Sequence, residues 1–342
     1  LKAGEKRIYL YEAEGAEFPY KAVPLRAHLI RLISLAIGAV VILSTWKIGR
    51  LMFGAGSWVP LTAAAFATLN PQFIFIAASV NDTTLSSALG ATVLLLLAYG
   101  VIRGFNFPVV VGLGVALGGE MLSTTAGVLF FPVILSALVI SGEKKGKIAL
   151  YFTATLVVAF SISGWWYIRN LLLYNDPFLW KMHKEVFGAS FLRTAPMGMV
   201  EFLNLLRLIH RSFWGVFGAM SIPLAAPIYW ILEAFTVVCI AGFVRYFLRL
   251  RQLRQDRRMF MLFIFSGSFF LFFVFVVRYN FTYYSAQGRY LFPVLSATAV
   301  LGASGAIEGI WRKRGVAAMC ILSGFVLLNV LVLLAYLIPA YH

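Results

Sequence analysis

Charged side chains are scarce in this chain. Of its 342 residues only 12% are Asp, Glu, Lys or Arg, whereas a soluble domain carries about 25% to cover its surface. Hydrophobic residues make up 61% and aromatic residues 16%, and the mean hydropathy is +0.87. This composition excludes a soluble globular protein and predicts an integral membrane protein with several spans.

Cysteine and histidine are also rare, which limits the kinds of site the chain can build. The two cysteines, Cys239 and Cys320, lie inside apolar runs, so no disulfide framework is expected. The four histidines are scattered without the spacing of metal ligands, and we predict no metal site built by the protein alone. The sequence contains neither a P-loop nor a GxGxxG motif, which argues against ATP-driven transport by this chain.

Acidic residues are outnumbered by basic ones, 13 against 29, giving a formal charge of +16. The basic residues form short clusters between apolar runs. That distribution is typical of loops that set membrane orientation, and it argues against a nucleic-acid partner.

Ten apolar runs are candidates for membrane-spanning helices, because about 20 apolar residues cross a bilayer. The fold class predicted is therefore an all-α polytopic bundle of about ten spans. The two short runs 107–121 and 125–141 are interpreted as a tight hairpin, and Pro71 is expected to split the second span into half-helices. The runs are 27–46, 58–79, 84–102, 107–121, 125–141, 148–163, 224–244, 259–277, 290–308 and 316–338.

Lys and Arg cluster in alternate loops, which the positive-inside rule places in the cytoplasm. The other side then receives 80–83, 122–124, 278–289 and the C-terminus. The domain organisation predicted is an external loop remnant (1–26), a first membrane part (27–163), a long external loop (164–223) and a second membrane part (224–342). Because the chain starts outside, one further span is expected before Leu1.

Residues 197–211 of the long external loop alternate polar and apolar side chains at helical spacing. The pattern predicts an amphipathic helix lying in the membrane interface. Two roles stay open for it: a lid over the end of the bundle, or a guide for a lipid substrate.

Two carboxylates on the predicted external side are candidate site residues. Asp82 follows Asn81 at the start of the span 84–102, where it is either an N-cap or a group that orients an acceptor or holds a metal with a substrate phosphate. Glu120 lies in the turn of the short hairpin and is either a partner for an external arginine or a site carboxylate.

Three arginines beside aromatic residues are predicted on the same side: Arg169, Arg211 and Arg289. Their neighbours Trp165, Gln287 and Tyr290, together with Asn81 and Glu120, complete the candidate binding residues. A guanidinium group matches phosphate oxygens bidentately, so the phosphate of a lipid headgroup at the outer interface is the expected ligand. The alternative is that these arginines only extend to the interface beside ordinary belt aromatics.

Five segments in this order resemble the GT-C superfamily of integral-membrane glycosyltransferases, especially bacterial relatives of the protein mannosyltransferase and aminoarabinose transferase branch. They cover most of the chain, and each alone is moderately specific. They are LNPQFIFIAASVNDTTLSSALGATVLLLLAYG (69–100), LGVALGGEMLSTTAGVLFFPVIL (113–135), SGWWYIRNLLLYNDPF (163–178), RSFWGVFG (211–218) and GRYLFPVLSA (288–297).

The resemblance implies sugar transfer from a polyprenyl-phosphate-linked donor to a lipid, glycan or protein acceptor outside a bacterial plasma membrane. It implies that Arg169, Arg211 and Arg289 bind the leaving phosphate and that Asp82 has a secondary role. The family's catalytic acid follows its first span, which places it before Leu1; Glu12, Glu14 and Glu17 do not match its position. Relatives also carry Lys where this chain has Glu120.

Other functions remain open on the sequence. A catalytically silent membrane subunit or scaffold, working with partner membrane subunits, is compatible with the missing acid. A secondary transporter is less well supported, because the span interiors carry almost no charge and no internal repeat is evident. The sequence identifies no cofactor, and a divalent metal bound with the substrate phosphate stays an open alternative.

Overall fold

The computed structural model describes residues 19–251, 257–310 and 313–341. Glu12, Glu14 and Glu17 lie outside these ranges. Most of the described chain is helical, and its strands form one small antiparallel hairpin of β1 (Val216–Phe217) and β2 (Ile222–Pro223). The α-helices are α1 (Ala22–Phe53), α2 (Val59–Thr68), α3 (Pro71–Ala77), α4 (Asp82–Arg103), α5 (Phe107–Ser123), α6 (Phe130–Ile140), α7 (Lys145–Tyr174), α8 (Trp180–Phe191), α9 (Met199–Trp214), α10 (Ala226–Arg251), α11 (Arg257–Asn280), α12 (Leu295–Ser304), α13 (Arg314–Val332) and α14 (Ile338–Tyr341).

Seven helical segments of the described chain are long and apolar enough to cross a membrane, or eight if a bent pair counts as one span. The protein is therefore an integral membrane protein with an all-α polytopic bundle, as predicted. The count of crossings is lower than ten on this criterion, because the hairpin helix α5 and the segment Thr125–Ile140 are both shorter than a full span. Two of the seven segments contain 3₁₀ or π turns, Gly288–Ile310 and Arg314–Tyr341.

The predicted break at Pro71 is confirmed. Helices α2 and α3 meet at an angle of 59°, because Pro71 has no N–H to continue the helix ladder. The Asn70 side chain caps α3 by accepting a hydrogen bond from the Phe73 N–H at 2.9 Å. The same side chain donates to the Phe213 carbonyl at 3.0 Å, so the break also fastens α3 to the end of α9.

Two helices extend well beyond the predicted spans. Helix α1 runs from Ala22 to Phe53 and α7 continues to Tyr174, whereas we predicted ends at 46 and 163. The aromatic and polar residues after 163 suggested an interface belt, but in a helix they extend the same rod by 1.5 Å per residue. Trp165 and Arg169 therefore lie on α7.

The amphipathic helix predicted over 197–211 is present as α9 (Met199–Trp214). Its buried face carries Leu205, Ile209 and Phe213, while Met199 and Val200 remain exposed at its start. The buried face packs against α3 and the 3₁₀ turn Gly288–Val294. Its place at the membrane interface stays a prediction.

Candidate functional site

The candidate residues fall into two groups at the ends of neighbouring helices. Asn81, Asp82, Glu120, Trp165 and Arg169 lie around the start of α4 and the ends of α5 and α7. The second group lies where α9 meets the turn before α12. No hydrogen bond or ion pair joins the candidate residues of one group to those of the other. The members of the second group are Arg211, Gln287, Arg289 and Tyr290.

The start of α4 is capped by Asn81 and not by Asp82, which corrects the capping role considered for the aspartate. The Asn81 side chain accepts a hydrogen bond from the Thr84 N–H at 3.1 Å and donates to the Ile76 carbonyl at 2.7 Å. Asp82 is the first residue of the helix and is exposed. Asn81 therefore serves the fold, while among the described residues the exposed Asp82 carboxylate accepts only a long hydrogen bond from the Thr83 hydroxyl at 3.4 Å.

The prediction that Glu120 lies in the turn of the hairpin is wrong. The residue lies inside α5, three residues before the end of the helix. Its side chain is 0% exposed. The Ser86 hydroxyl donates to Oε1 at 2.7 Å, whereas Oε2 has no hydrogen-bond partner. In the described part of the chain no ion pair joins Glu120 to an arginine, so the expected pairing with an external arginine is not present.

Arg169 belongs to the first group and lies near the end of α7. The Arg169 Nη1 donates to the Asn170 side chain at 3.2 Å, and its guanidinium lies 5.3 Å from the ring centre of Trp166. Arg169 and Trp165 are both exposed. Tyr167, between them, is buried and donates to the Met121 carbonyl at 2.7 Å, which ties this part of α7 to the end of α5.

The second group is built where two of the five segments, 211–218 and 288–297, meet. The Gly288 N–H donates to the Ser212 hydroxyl at 2.8 Å, and both residues are buried. A Cβ at Gly288 would lie 2.2 Å from the Phe213 nitrogen, so only glycine allows this approach. The contact places Arg211 and Arg289, each one residue away, on either side of the same junction.

Arg211 is partly neutralised by the neighbouring helix. Its Nε lies 3.6 Å from a Glu233 carboxylate oxygen, and its guanidinium lies 4.8 Å from the ring centre of Tyr229. The distance to Glu233 suits an ion pair but is too long for a hydrogen bond, and the Nε indeed has no hydrogen-bond partner. Arg211 thus has donors left for a further acceptor.

Arg289 has fewer partners than Arg211. Its Nε is buried, and among the described residues it has neither a hydrogen-bond partner nor an ion pair. Its guanidinium lies 5.8 Å from the ring centre of Tyr290, whose hydroxyl is 2.9 Å from the Ser285 hydroxyl. A buried N–H donor without an acceptor costs free energy of about 1–3 kcal/mol. An anion bound beside Arg289 would remove that cost.

Sequence reasoning missed His210, which precedes Arg211. The Trp214 indole N–H donates to Nε2 at 3.3 Å, and Thr236 lies 3.0 Å from the same nitrogen. Burial lowers the pKa of His210, and the Arg211 charge adds to this effect while Glu233 opposes it. The imidazole is therefore held neutral beside the arginine. A helical i, i+4 spacing to Trp214 was the only available signal.

A second cluster that the sequence did not reveal fastens α8 and the residues after it to the end of α11. His183 Nε2 lies 2.9 Å from the Tyr279 hydroxyl, and Arg193 donates from Nε to the Asn280 carbonyl at 2.6 Å. Tyr279 also stacks on Tyr283. These partners are about 90 residues apart in the chain, so no local pattern could predict them.

Within residues 19–251, 257–310 and 313–341, no group of three or more His, Cys, Asp and Glu side chains is arranged to hold a metal ion. No protein-family model and no curated protein sequence matches the chain.

The arrangement of helices is similar to that of two crystal structures of ArnT from Cupriavidus metallidurans. The apo structure matches with a TM-score of 0.54 and 17% identity over 88% of this chain, and the structure bound to undecaprenyl phosphate matches with 0.51 and 15% over 95%. The chain has the GT-C fold. The GT-C fold predicted from the five segments is thereby confirmed, while the chain spans only 50% and 61% of the lengths of the two ArnT chains.

Proposed function

We propose that this protein transfers a sugar from a polyprenyl-phosphate-linked donor to a lipid, glycan or protein acceptor. The site would lie on the external face of a bacterial plasma membrane. The observation that carries the proposal is the buried Arg289 Nε without an acceptor, at the junction of two segments of a GT-C fold. One of the similar ArnT structures is bound to undecaprenyl phosphate. The phosphate oxygens of such a lipid can accept a hydrogen bond from the Arg289 Nε.

Arg289 would be the main binding residue for the phosphate, and Arg211 would add a second contact. Arg289 has an unused donor, and Arg211 is held beside it by Glu233 and Tyr229. Arg169 belongs to the other group of candidates, and we assign it to the approach of the headgroup from the interface. Gln287 and Tyr290 flank Arg289 and would contact the sugar or the phosphate.

An apolar cleft between α10 and α13 supports the lipid part of the proposal. It has a volume of ≈ 400 Å³, and almost all of its lining is apolar. Helix α10 contributes Ile228 and Leu232 to the cleft and Tyr229 and Glu233 to the Arg211 contacts. Both sets of residues lie in the first two turns of α10. An isoprenoid chain in this cleft would therefore have its phosphate end near Arg211.

The chemistry needs a base and a stabilised leaving group. A carboxylate takes the proton of the acceptor hydroxyl, whose oxygen bonds to the anomeric carbon as the bond from that carbon to the phosphate oxygen breaks. The electron pair goes to the phosphate, where a guanidinium stabilises it. Asp82 is exposed and would position the acceptor or a metal held with the phosphate. Glu120 is enclosed and would take no direct part.

Turnover by the purified protein tests this function. The protein in lipid nanodiscs is incubated with a panel of polyprenyl-phosphate sugars together with lipid, glycan and peptide acceptors, and the released polyprenyl phosphate is quantified by mass spectrometry. We expect Arg289→Ala to lower release by about 10²–10³-fold, the usual loss when a donor to the developing charge is removed. Arg207→Ala, an exposed arginine on the same helix as Arg211, serves as the matched control.

Undiminished release by Arg289→Ala would contradict the site. An absence of release with every donor, although the lipid binds, would contradict the enzyme and support a catalytically silent GT-C subunit.

A further inference from the structure

The end of α10 opposite to the candidate site carries two arginines that the function above does not use. Arg245 and Arg249 are exposed and four residues apart, so they lie on one face of the helix. With Ala241, Val244 and Leu248 they line a surface recess of ≈ 460 Å³. The recess is shallow and lies on one face of a membrane-spanning helix, near its end, where it combines two cations with apolar side chains.

Three of the other cations at this end of the bundle have partners of their own. Arg314 pairs with Glu308 at 2.7 Å, and Lys147 pairs with Glu143 at 3.5 Å. Arg257 donates to the Ile102 carbonyl at 2.7 Å. These pairs use both acidic residues that the described chain places at this end, Glu143 and Glu308. In the described ranges no carboxylate is left for Arg245 and Arg249.

We propose that the recess binds the headgroup of an anionic phospholipid in the leaflet predicted to be cytoplasmic. The phosphate would bridge the two guanidinium groups, which suit phosphate oxygens bidentately. The first carbons of the acyl chains would lie against Val244 and Leu248. A zwitterionic lipid brings a cationic group together with its phosphate and compensates the two adjacent arginines less well, so we expect the recess to prefer a headgroup with net negative charge. The proposal is independent of the proposed sugar transfer.

Native mass spectrometry of the purified full chain tests the proposal. Retention of phosphatidylglycerol is compared with retention of phosphatidylcholine for the wild type, for Arg245→Ala/Arg249→Ala and for Lys144→Ala/Lys145→Ala. The lysine variant removes the same charge from another exposed loop of the same predicted side. Because each basic residue near an anionic surface contributes about a fivefold gain in binding, we expect the arginine variant to lose about thirtyfold in preference for phosphatidylglycerol.

The lysine variant should keep the wild-type preference. Equal losses in both variants would show a general charge effect and overturn the proposal, as would an unchanged preference in the arginine variant. Inorganic phosphate in millimolar excess distinguishes a free anion from a lipid: we expect bound phosphatidylglycerol to stay bound, and its complete displacement would also overturn the proposal. Arg245→Lys/Arg249→Lys should retain most of the preference.

Discussion

At the scale of single residues, the candidate site contains polar groups with very different surroundings. Asn81 makes all of its visible hydrogen bonds to the backbone and hydroxyl of its own turn. Glu120 and Arg289 each bury one polar atom without a partner. An unpaired buried atom indicates either a ligand or a neutral side chain, and the two residues call for different tests.

Glu120 tests the second possibility. An ionised carboxylate buried without a cation is expensive, so the uncharged form is favoured there. Glu120→Gln keeps an acceptor for Ser86 without the charge, and we expect its thermal unfolding temperature in detergent to equal or exceed that of the wild type. Glu120→Leu leaves the buried Ser86 hydroxyl without this partner and should cost about 1–3 kcal/mol. A glutamine variant clearly less stable than the wild type would show that Glu120 needs its charge.

His210 makes the stability of the α9–α10 contact depend on pH. Because burial lowers its pKa in the folded protein, the unfolded chain binds a proton more readily. Stability is then fully present above the ordinary histidine pKa of about 6.5 and is lost as the pH falls below it. We expect the unfolding temperature of the wild type to fall more steeply between about pH 7.5 and 5 than that of His210→Gln.

His28→Gln, which removes a histidine far along the chain, controls for the substitution itself. Identical pH slopes for the wild type and His210→Gln would contradict the role assigned to His210.

At the scale of secondary-structure elements, proline and amphipathic patterns were the most reliable guides. Pro71 acts through a missing N–H, which is a local property, and the break it causes was predictable. Helix α9 was predictable for a similar reason, because the spacing of polar and apolar residues along its own sequence defines its two faces. The end of α7 was not predictable, because Trp165 and Arg169 suit both a helix and a membrane interface.

The predicted position of Glu120 was wrong for a related reason. A gap of three residues between two apolar runs, 122–124, suggested the turn, but the chain stays helical to Ser123 and turns in the 3₁₀ segment Thr125–Leu129. Gly127 fits there against the backbone of Glu120 and Met121. Close backbone packing of this kind has no counterpart in hydropathy.

The start of α4 offers a test at this scale. Asn81→Ala removes the cap of the helix and the bond to the Ile76 carbonyl, and we expect a loss of about 1–2 kcal/mol in stability. Asp82→Ala removes only an exposed carboxylate and should change stability by less than about 0.5 kcal/mol, while lowering sugar transfer. Chemical unfolding and the transfer assay measure the two effects separately. A larger loss of stability in Asp82→Ala than in Asn81→Ala would reverse the assignment.

At the scale of the whole molecule, the fold followed from hydropathy and from the order of five moderately specific segments. The site did not, because its contacts join distant parts of the chain. Ser212 and Gly288 are 76 residues apart, and Asn70 reaches Phe213 across 143. Three arginines on one predicted face suggested a single phosphate site, yet the described contacts place Arg169 in a different group from Arg211 and Arg289.

The central claim is that the junction of 211–218 and 288–297 binds a lipid phosphate through Arg289. The most direct measurement is native mass spectrometry of the purified protein with a polyprenyl phosphate and with the matching polyprenol, which lacks the phosphate. Since hydrogen bonds to charged groups contribute about 1.5–3 kcal/mol, we expect the wild type to bind the phosphate form roughly ten- to a hundredfold more tightly. Arg289→Ala should lose this difference and Arg207→Ala should keep it. Equal binding of the two lipids by the wild type, or an undiminished difference in Arg289→Ala, would contradict the account.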